Sequence, residues 1–324
     1  MYNPSELRDI VDKTLINLSY NTEVPKLIDP VKYILSLGGK RIRPVMTLMA
    51  CNLFNDKIDD ALFPAAGLEV FHNFTLVHDD IMDKAPVRRG FPTVHSKWDI
   101  NQAVLSGDVM SFIANECFML TPSQLFIKIF RIFNKAAIEV CVGQQLDMDY
   151  EKSIVVTEKE YLRMIELKTA ALIAASLRIG ALIGGGSDKD SDLLYDFGRN
   201  LGLAFQIQDD ILDIWGDTKV FGKTKGGDIV SNKKTFPFIK AMELSTGETR
   251  KQLQILFSGS ESGPDVKIRI VTELYDQLNI RGESESLAND YIDKAFQCLQ
   301  KVNVDDKRKK ELTDLASSLI GRSH

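Results

Sequence analysis

Residues 74–89 read FTLVHDDIMDKAPVRR: an apolar run that ends in Asp79, Asp80 and Asp83 and is followed by Arg88 and Arg89. On a helix Asp79 and Asp83, four apart, stack on one face, and Asp80 is turned away from them by about 100°. That face repels itself unless a cation sits on it. Oxygen ligands without cysteine and with few histidines point to a hard ion. Mg2+ characteristically takes one or two carboxylates and completes its shell with substrate phosphates. The stretch therefore predicts the polar end of a long helix carrying a metal-assisted site for a phosphorylated ligand. The helix is read from Asp60 to Asp83, and Pro86 in KAPVRRGFP marks a loop.

Working upstream, Leu7, Ile10, Val11, Leu15 and Leu18 follow amphipathic helical spacing from Pro4, with Ser5 placed to help cap it. A second helix after Pro25 and Pro30 ends at Gly38 and Gly39. In GGKRIRP, Pro44 falls in a first helical turn, so Lys40, Arg41 and Arg43 surround a helix start, where backbone N–H groups favour anions. The competing reading is a solvated basic loop.

Working downstream, helix returns near Asp99, stops near Pro122, and resumes from Ser123 to Tyr150, ending in GQQLDMDY, where Gln144 and Asp147 share a face. Thr157 and Glu160 have capping-box spacing, and the helix they open is expected to carry ELKTAALIAASLRIGALIGGG without a break. Lys168 interrupts this core-like run and needs an anion or a carboxylate such as Glu166 or Asp149. The next helix, starting at Ser187 or Asp188, ends in FQIQDDILD, where Asp209, Asp210 and Asp213 repeat the spacing of the first trio. One acidic trio is commonly a solvated face; two of identical spacing, each closing an apolar helix, are hard to explain that way. FGKTKGGDIVSNKKT then supplies Lys223, Lys225, Asp228, Lys233 and Lys234. A P-loop is excluded, because the position of its first glycine is Asp217 and the stretch follows a helix. From Thr235 onward helices alternate with short turns, and the last, from Lys307, is expected to pack over one end. Sustained β-type alternation is lacking. The fold class is all-α, a large antiparallel bundle, read as one domain over residues 1–324.

Composition limits the partners. A net charge of −5 argues against nucleic acid and means that cations must be brought in to hold an anion. Cys51, Cys117, Cys141 and Cys298 stand singly in apolar runs, without zinc spacing, and are expected to be buried free thiols in a reducing cytoplasm. The amino terminus lacks the apolar core of a signal peptide. The longest apolar run, Ala170 to Gly186, is broken by Arg178, so no membrane span is expected.

GGKRIRP, HDDIMDKAPVRRG, GQQLD, KTAALI, FQIQDDILD and GKTKGGDI occur in an order and at separations that resemble the trans-isoprenyl diphosphate synthase (polyprenyl synthetase) family over nearly the whole chain. The resemblance implies an isoprenoid-synthase bundle around a deep central cavity, usually dimeric. It implies joining carbon 1' of an allylic diphosphate to carbon 4 of isopentenyl diphosphate with release of pyrophosphate. By that resemblance Asp79, Asp83 and Asp209 would bind Mg2+, three ions per site, with Asp80, Asp210 and Asp213 completing two acidic walls. Arg88, Lys168 and Lys223, assisted by Lys233, would hold the allylic diphosphate. Lys40, Arg43, His72 and Arg89 would hold the diphosphate of isopentenyl diphosphate. Thr169 and Gln206 would offer oxygens to the allylic cation. His72 lies two turns before Asp79 on about the same face; His78 and His95 read as structural.

If the growing tail runs back along the helix from Asp79, the residue five earlier lies about 7.5 Å up the axis. That residue is Phe74, with Phe71 a further turn back and the smaller Thr75 beside it. In the family a bulky residue there resembles short-chain enzymes, so products of about C20 are expected, with C15 next and longer polyprenyl chains as the alternative. Phe74 as a plain core residue is the competing reading. A class I terpene cyclase would mix Asn, Ser or Thr and Glu in its second motif, a noncatalytic subunit would lose an acidic motif, and a di-iron bundle would need Glu-x-x-His pairs; the chain fits none of these.

Overall fold

The structure, a computed structural model, describes residues 1–20, 24–153, 155–216, 225–258 and 263–321. The described residues are helical apart from one two-residue hairpin and the connecting turns. They form two compact units, the first of described residues within 1–135, 175–195 and 302–312, the second of described residues within 136–174, 196–301 and 313–321.

In the first unit α1 (Pro4–Ile16) starts from a capping box between Asn3 and Glu6. The cap is thus Asn3 and not Ser5, because Pro4 takes the first helical position and the cap is the residue before it, two earlier than expected. Helix α2 (Pro25–Ser36) stops before Gly38 and Gly39, both at positive φ. Helix α3 (Ile42–Phe54) starts at Arg41, a left-handed residue at φ 47°. Helix α4 (Asp59–Met82) carries the first trio at its carboxyl end. KAPVRRGFP is more than a loop: β1 (Val87–Arg88) pairs antiparallel with β2 (Phe91–Pro92). A short α5 (Val94–Lys97) leads to α6 (Ile100–Met119), capped by the side chain of Asp99. Helix α4 packs along α6 and also against α1, α2 and α3. Phe118 stacks on Phe133 at 4.1 Å, and Phe71 meets Phe133 edge-on at 5.3 Å. Each such buried ring contributes about 1.5–3 kcal/mol by leaving water.

Helices α7 (Ser123–Lys152), α9 (Ala171–Ile183) and α10 (Asp188–Trp215) each run from one group of residues into the other. In the second unit α8 (Glu158–Ile165) opens with the expected Thr157–Glu160 capping box. The continuous helix expected from Thr157 is broken by a π-helical turn at Glu166–Ala170 before α9 begins. The helix Phe236–Leu244 packs on α8 and on Ile280–Gln300, and the short helix Gly227–Val230 packs on Pro264–Gln277. Tyr161, Phe236, Phe238, Phe257 and Tyr275 fill this unit's core. Among the cysteines Cys51 and Cys117 are buried as expected, whereas Cys141 is exposed and Cys298 half-buried. An apolar neighbourhood in sequence does not say which helix face a residue takes. No helix among the described residues is long and apolar enough to cross a membrane.

Candidate active site

Both trios lie at the carboxyl end of a helix, where unpaired carbonyls already carry negative charge. In the first, Asp79 is half-buried and Asp83 exposed, while Asp80 is only 1% exposed. The Asp80 carboxylate is held by Arg88, whose Nε lies 2.9 Å from both oxygens and whose Nη2 lies 2.8 Å from Oδ1. The hairpin makes this possible by returning Arg88 to the end of α4. Ala85 N–H donates to the Asp80 carbonyl at 2.9 Å, and Thr93 closes the loop onto Ala85 and Pro86.

Around the start of α3 the basic residues divide by partner. Arg41 is structural: it donates to Asp12 and Glu69 at 2.8 Å each and to the Leu35 carbonyl at 2.6 Å. Arg43 is different, since its buried Nε has no hydrogen-bond partner among the described residues. Burial pushes the Arg43 guanidinium down to about 10 despite Glu69. Arg89, at φ 53°, donates to the Gly38 carbonyl, and burial also lowers its pKa. His72 is pushed well below its ordinary value by burial, then by Arg43, Arg89, Arg88 and Arg41, so its imidazole is neutral at pH 7. A buried orphan donor amid mutually repelling cations is a setting for an anion with several charges. Lys40 is exposed at its edge.

In the second unit Lys168 pairs with Asp147 at 2.5 Å, not with Glu166 or Asp149. The π turn sets this partner, and Gly143 admits the turn: a Cβ at Gly143 would stand 2.3 Å from the Lys168 nitrogen. Such turns inside α-helices recur at functional sites. Thr169 Oγ1 donates to Gln206 Oε1 at 3.0 Å, and Gln206 Nε2 donates to Asp210 Oδ1 at 3.0 Å. Tyr161 completes the chain by donating to Asp210 Oδ2 at 2.5 Å. Asp210 is 4% exposed, and burial, then Asp228, push its carboxyl well above the usual range, an effect the Tyr161 and Gln206 hydrogen bonds oppose. Asp209 and Asp213 are half-buried; Asp213 Oδ2 accepts the Asp228 N–H at 3.0 Å. Lys233 is half-buried and its N–H donates to the Asp228 carbonyl at 3.0 Å. Lys223 lies outside the described residues.

The bonds of Tyr161 to Asp210, of Lys168 to Asp147 and of Arg41 to Glu69 have no local signal, because each joins residues at least 21 apart. On α4, Phe74 is half-buried, edge-on to His78 at 4.8 Å and tilted against Phe71 at 5.4 Å; Thr75 turns its hydroxyl to the His72 carbonyl at 2.8 Å. His78 Nε2 meets the Val104 carbonyl at 3.2 Å and His95 Nδ1 meets Thr93 Oγ1 at 3.3 Å.

No group of three or more His, Cys, Asp or Glu poised to hold a metal occurs among the described residues. The half-buried or exposed Asp79, Asp83, Asp209 and Asp213 nonetheless fit Mg2+, which binds through one or two carboxylates together with substrate phosphates rather than in an all-protein cage.

The polyprenyl synthetase family model matches residues 24–274. A geranylgeranyl diphosphate synthase of Sulfolobus acidocaldarius is 40% identical over 87% of this chain and 86% of its own. A geranylfarnesyl diphosphate synthase of Natronomonas pharaonis is 31% identical over 99% of this chain and 97% of its own. Among solved structures, a crystal structure of a geranylgeranyl pyrophosphate synthase aligns with a TM-score of 0.93 at 40% identity, covering all of both chains. The paired aspartate motifs, the all-α architecture and these matches agree: the chain belongs to the polyprenyl synthetase family, among its short-chain trans-isoprenyl diphosphate synthases.

Proposed function

We propose that this prenyltransferase extends an allylic diphosphate with isopentenyl diphosphate to geranylgeranyl diphosphate, acting as one catalytic domain. The observation that carries the reading of two diphosphates is the buried Arg43 Nε, without a hydrogen-bond partner among the described residues, beside neutral His72, a cationic setting separate in sequence from Lys168 and Lys233. Lys40, Arg43, His72 and Arg89 hold isopentenyl diphosphate. Arg88, Lys168, Lys223 and Lys233 hold the allylic diphosphate. Asp79, Asp83 and Asp209 hold Mg2+, three ions in all, with Asp80, Asp210 and Asp213 in support; when bound, the metal neutralises the charge that develops on the departing pyrophosphate.

The allylic C1'–O bond breaks with its electron pair leaving on pyrophosphate. The C3=C4 pair of isopentenyl diphosphate forms the C1'–C4 bond, and a proton from C2 passes to pyrophosphate, which restores the double bond. No side-chain nucleophile is required, and neutral His72 serves as a hydrogen-bond partner. Thr169, in the π turn, and Gln206 place oxygens where an allylic cation can be stabilised, and their mutual hydrogen bond fixes them.

Phe74 is proposed as the floor for the tail, held by His78 and Phe71, with Thr75 beside it. Incubation with isopentenyl diphosphate, Mg2+ and C5, C10 or C15 starters, followed by sizing, tests the length; Phe74→Ala should lengthen the product by one or more isoprene units. An unchanged distribution would place the floor elsewhere. A wild-type product of C25 would favour the geranylfarnesyl activity for which one relative is named.

A homodimer is supported by Leu105, Phe112 and Met119, spaced seven apart on α6 and 57%, 67% and 65% exposed, an apolar row that a second copy would cover; sedimentation as a monomer would exclude it. A reducing cytoplasmic setting is supported by the four cysteines, which form no disulfide among the described residues.

A further inference from the structure

The short helix Gly227–Val230 is bracketed by two left-handed residues, Gly226 at φ 76° and Asn232 at φ 58°. At its amino end the second aspartate motif satisfies two backbone donors: the Asp213 carbonyl accepts Gly226 N–H at 2.7 Å, and Asp213 Oδ2 accepts Asp228 N–H at 3.0 Å. At its carboxyl end Lys267, from the helix Pro264–Gln277, donates to the Ile229 carbonyl and to Asn232 Oδ1, each at 2.5 Å. Lys234 donates to the Asn232 carbonyl at 3.0 Å. The turn is therefore held through both its orphan N–H and its orphan C=O groups.

Lys267 is 5% exposed, and among the described residues no carboxylate forms an ion pair with it. Its ammonium rests on two oxygens and on the face of Phe257, 4.8 Å from the ring centroid. An apolar side chain of similar length would avoid the cost of burying a charge without a counter-ion. What the lysine does secure is the left-handed Asn232, and hence the chain direction of Lys233. Lys233 is fixed on both sides, by Asn232 before it and Lys234 after it, and by its own N–H bond to Asp228. Gly226 permits the close approach at the other end, where a Cβ would stand 2.7 Å from Ile268.

We propose that Lys267 is a positioning residue for the allylic diphosphate site, acting through Asn232 to present Lys233; this rests on the diphosphate role given to Lys233 above. The pair also couples the helix Pro264–Gln277 to the second aspartate motif through one short turn.

Steady-state kinetics of the full chain with saturating Mg2+ test it. Lys267→Met should raise KM for the allylic diphosphate about tenfold, as expected for loss of charge-assisted hydrogen bonds, with kcat within about twofold and KM for isopentenyl diphosphate unchanged. Asn232→Gly, which keeps the left-handed backbone but loses the acceptor, should do the same, and it decides the matter if Lys267→Met does not fold. Asn232→Asp, which keeps an oxygen for Lys267, should retain the wild-type KM. Lys233→Ala should raise the same KM, and adding Lys267→Met to it should raise KM no further. Wild-type KM in both Lys267→Met and Asn232→Gly, at whatever thermal stability, overturns the proposal, as does an additive rise in the double variant. If Lys233→Ala alone leaves KM unchanged, it is the diphosphate role of Lys233 that fails.

Discussion

Asp79, Asp80 and Asp83 close one helix, and Asp209, Asp210 and Asp213 close another with the same spacing, yet their middle carboxylates are held in different ways. Asp80 is clamped by Nε and Nη2 of one guanidinium. Asp210 is held by a phenol and an amide, both neutral. In each case the middle residue is buried and occupied while its neighbours remain more accessible. The repeated motif thus divides into an anchor and two presenting residues. The difference lies in electrostatics: Asp80 is paired with a guanidinium, whereas burial, and then the carboxylates of Asp228 and Asp209, raise the pKa of Asp210. Arg88, with five donors, can hold Asp80 and still reach for a phosphate oxygen. On the role proposed for Arg88, the first trio would be tied to its ligand through the residue that also secures its fold. The second is tied to the core through Tyr161.

The largest effect should come from the presenting residues. Asp79→Ala and Asp209→Ala should each reduce turnover by about a thousandfold or more, because each removes a proposed metal ligand from the step that makes pyrophosphate leave. Circular dichroism and thermal melting should stay near wild type. Rates near normal in either variant would remove that residue from the metal site.

The anchors should separate by stability. Arg88→Ala strands a buried carboxylate and should cost about 3 kcal/mol in urea unfolding, together with a large loss of activity. Tyr161→Phe removes one hydrogen bond to a group that can take up a proton, and should cost about 1.5 kcal/mol. Equal costs for the two variants would show that the charge on the partner does not matter.

Much of this was legible in the sequence, for reasons local to the chain. Helix existence followed from apolar spacing. The trios followed from a 3.6-residue repeat that puts positions four apart on one face, and Thr157 and Glu160 announced their capping box. What escaped depends on distant partners. Arg41 and Arg43 stand two apart in one motif, but only the fold gives Arg41 the carboxylates of Asp12 and Glu69 and leaves the Arg43 Nε without a partner among the described residues. The π turn at Glu166–Ala170 answers to Gly143, 23 residues before it, and moves Lys168 onto Asp147. Even the caps slip by a residue or two, as Asn3 in place of Ser5 shows.

The smallest effect is in pH, and it should appear at opposite ends of the scale for the two regions. His72, beside Arg43 and Arg89, has its pKa well below 6.5 in the folded protein. As pH falls through 6.5 the unfolded chain takes up a proton that the folded chain refuses, so stability drops by at most about 1.4 kcal/mol per pH unit. Lys267 is lowered from 10.5 to about 8 by burial and by Lys234. Between those values the unfolded chain holds the extra proton, so stability rises with pH. Urea unfolding should show an acid loss that His72→Gln reduces and Lys267→Met does not, and an alkaline gain that Lys267→Met reduces and His72→Gln does not. If one substitution flattened both limbs, the two regions would share a single titrating network, and the division between a cation-supported and a neutrally supported motif would have to be redrawn.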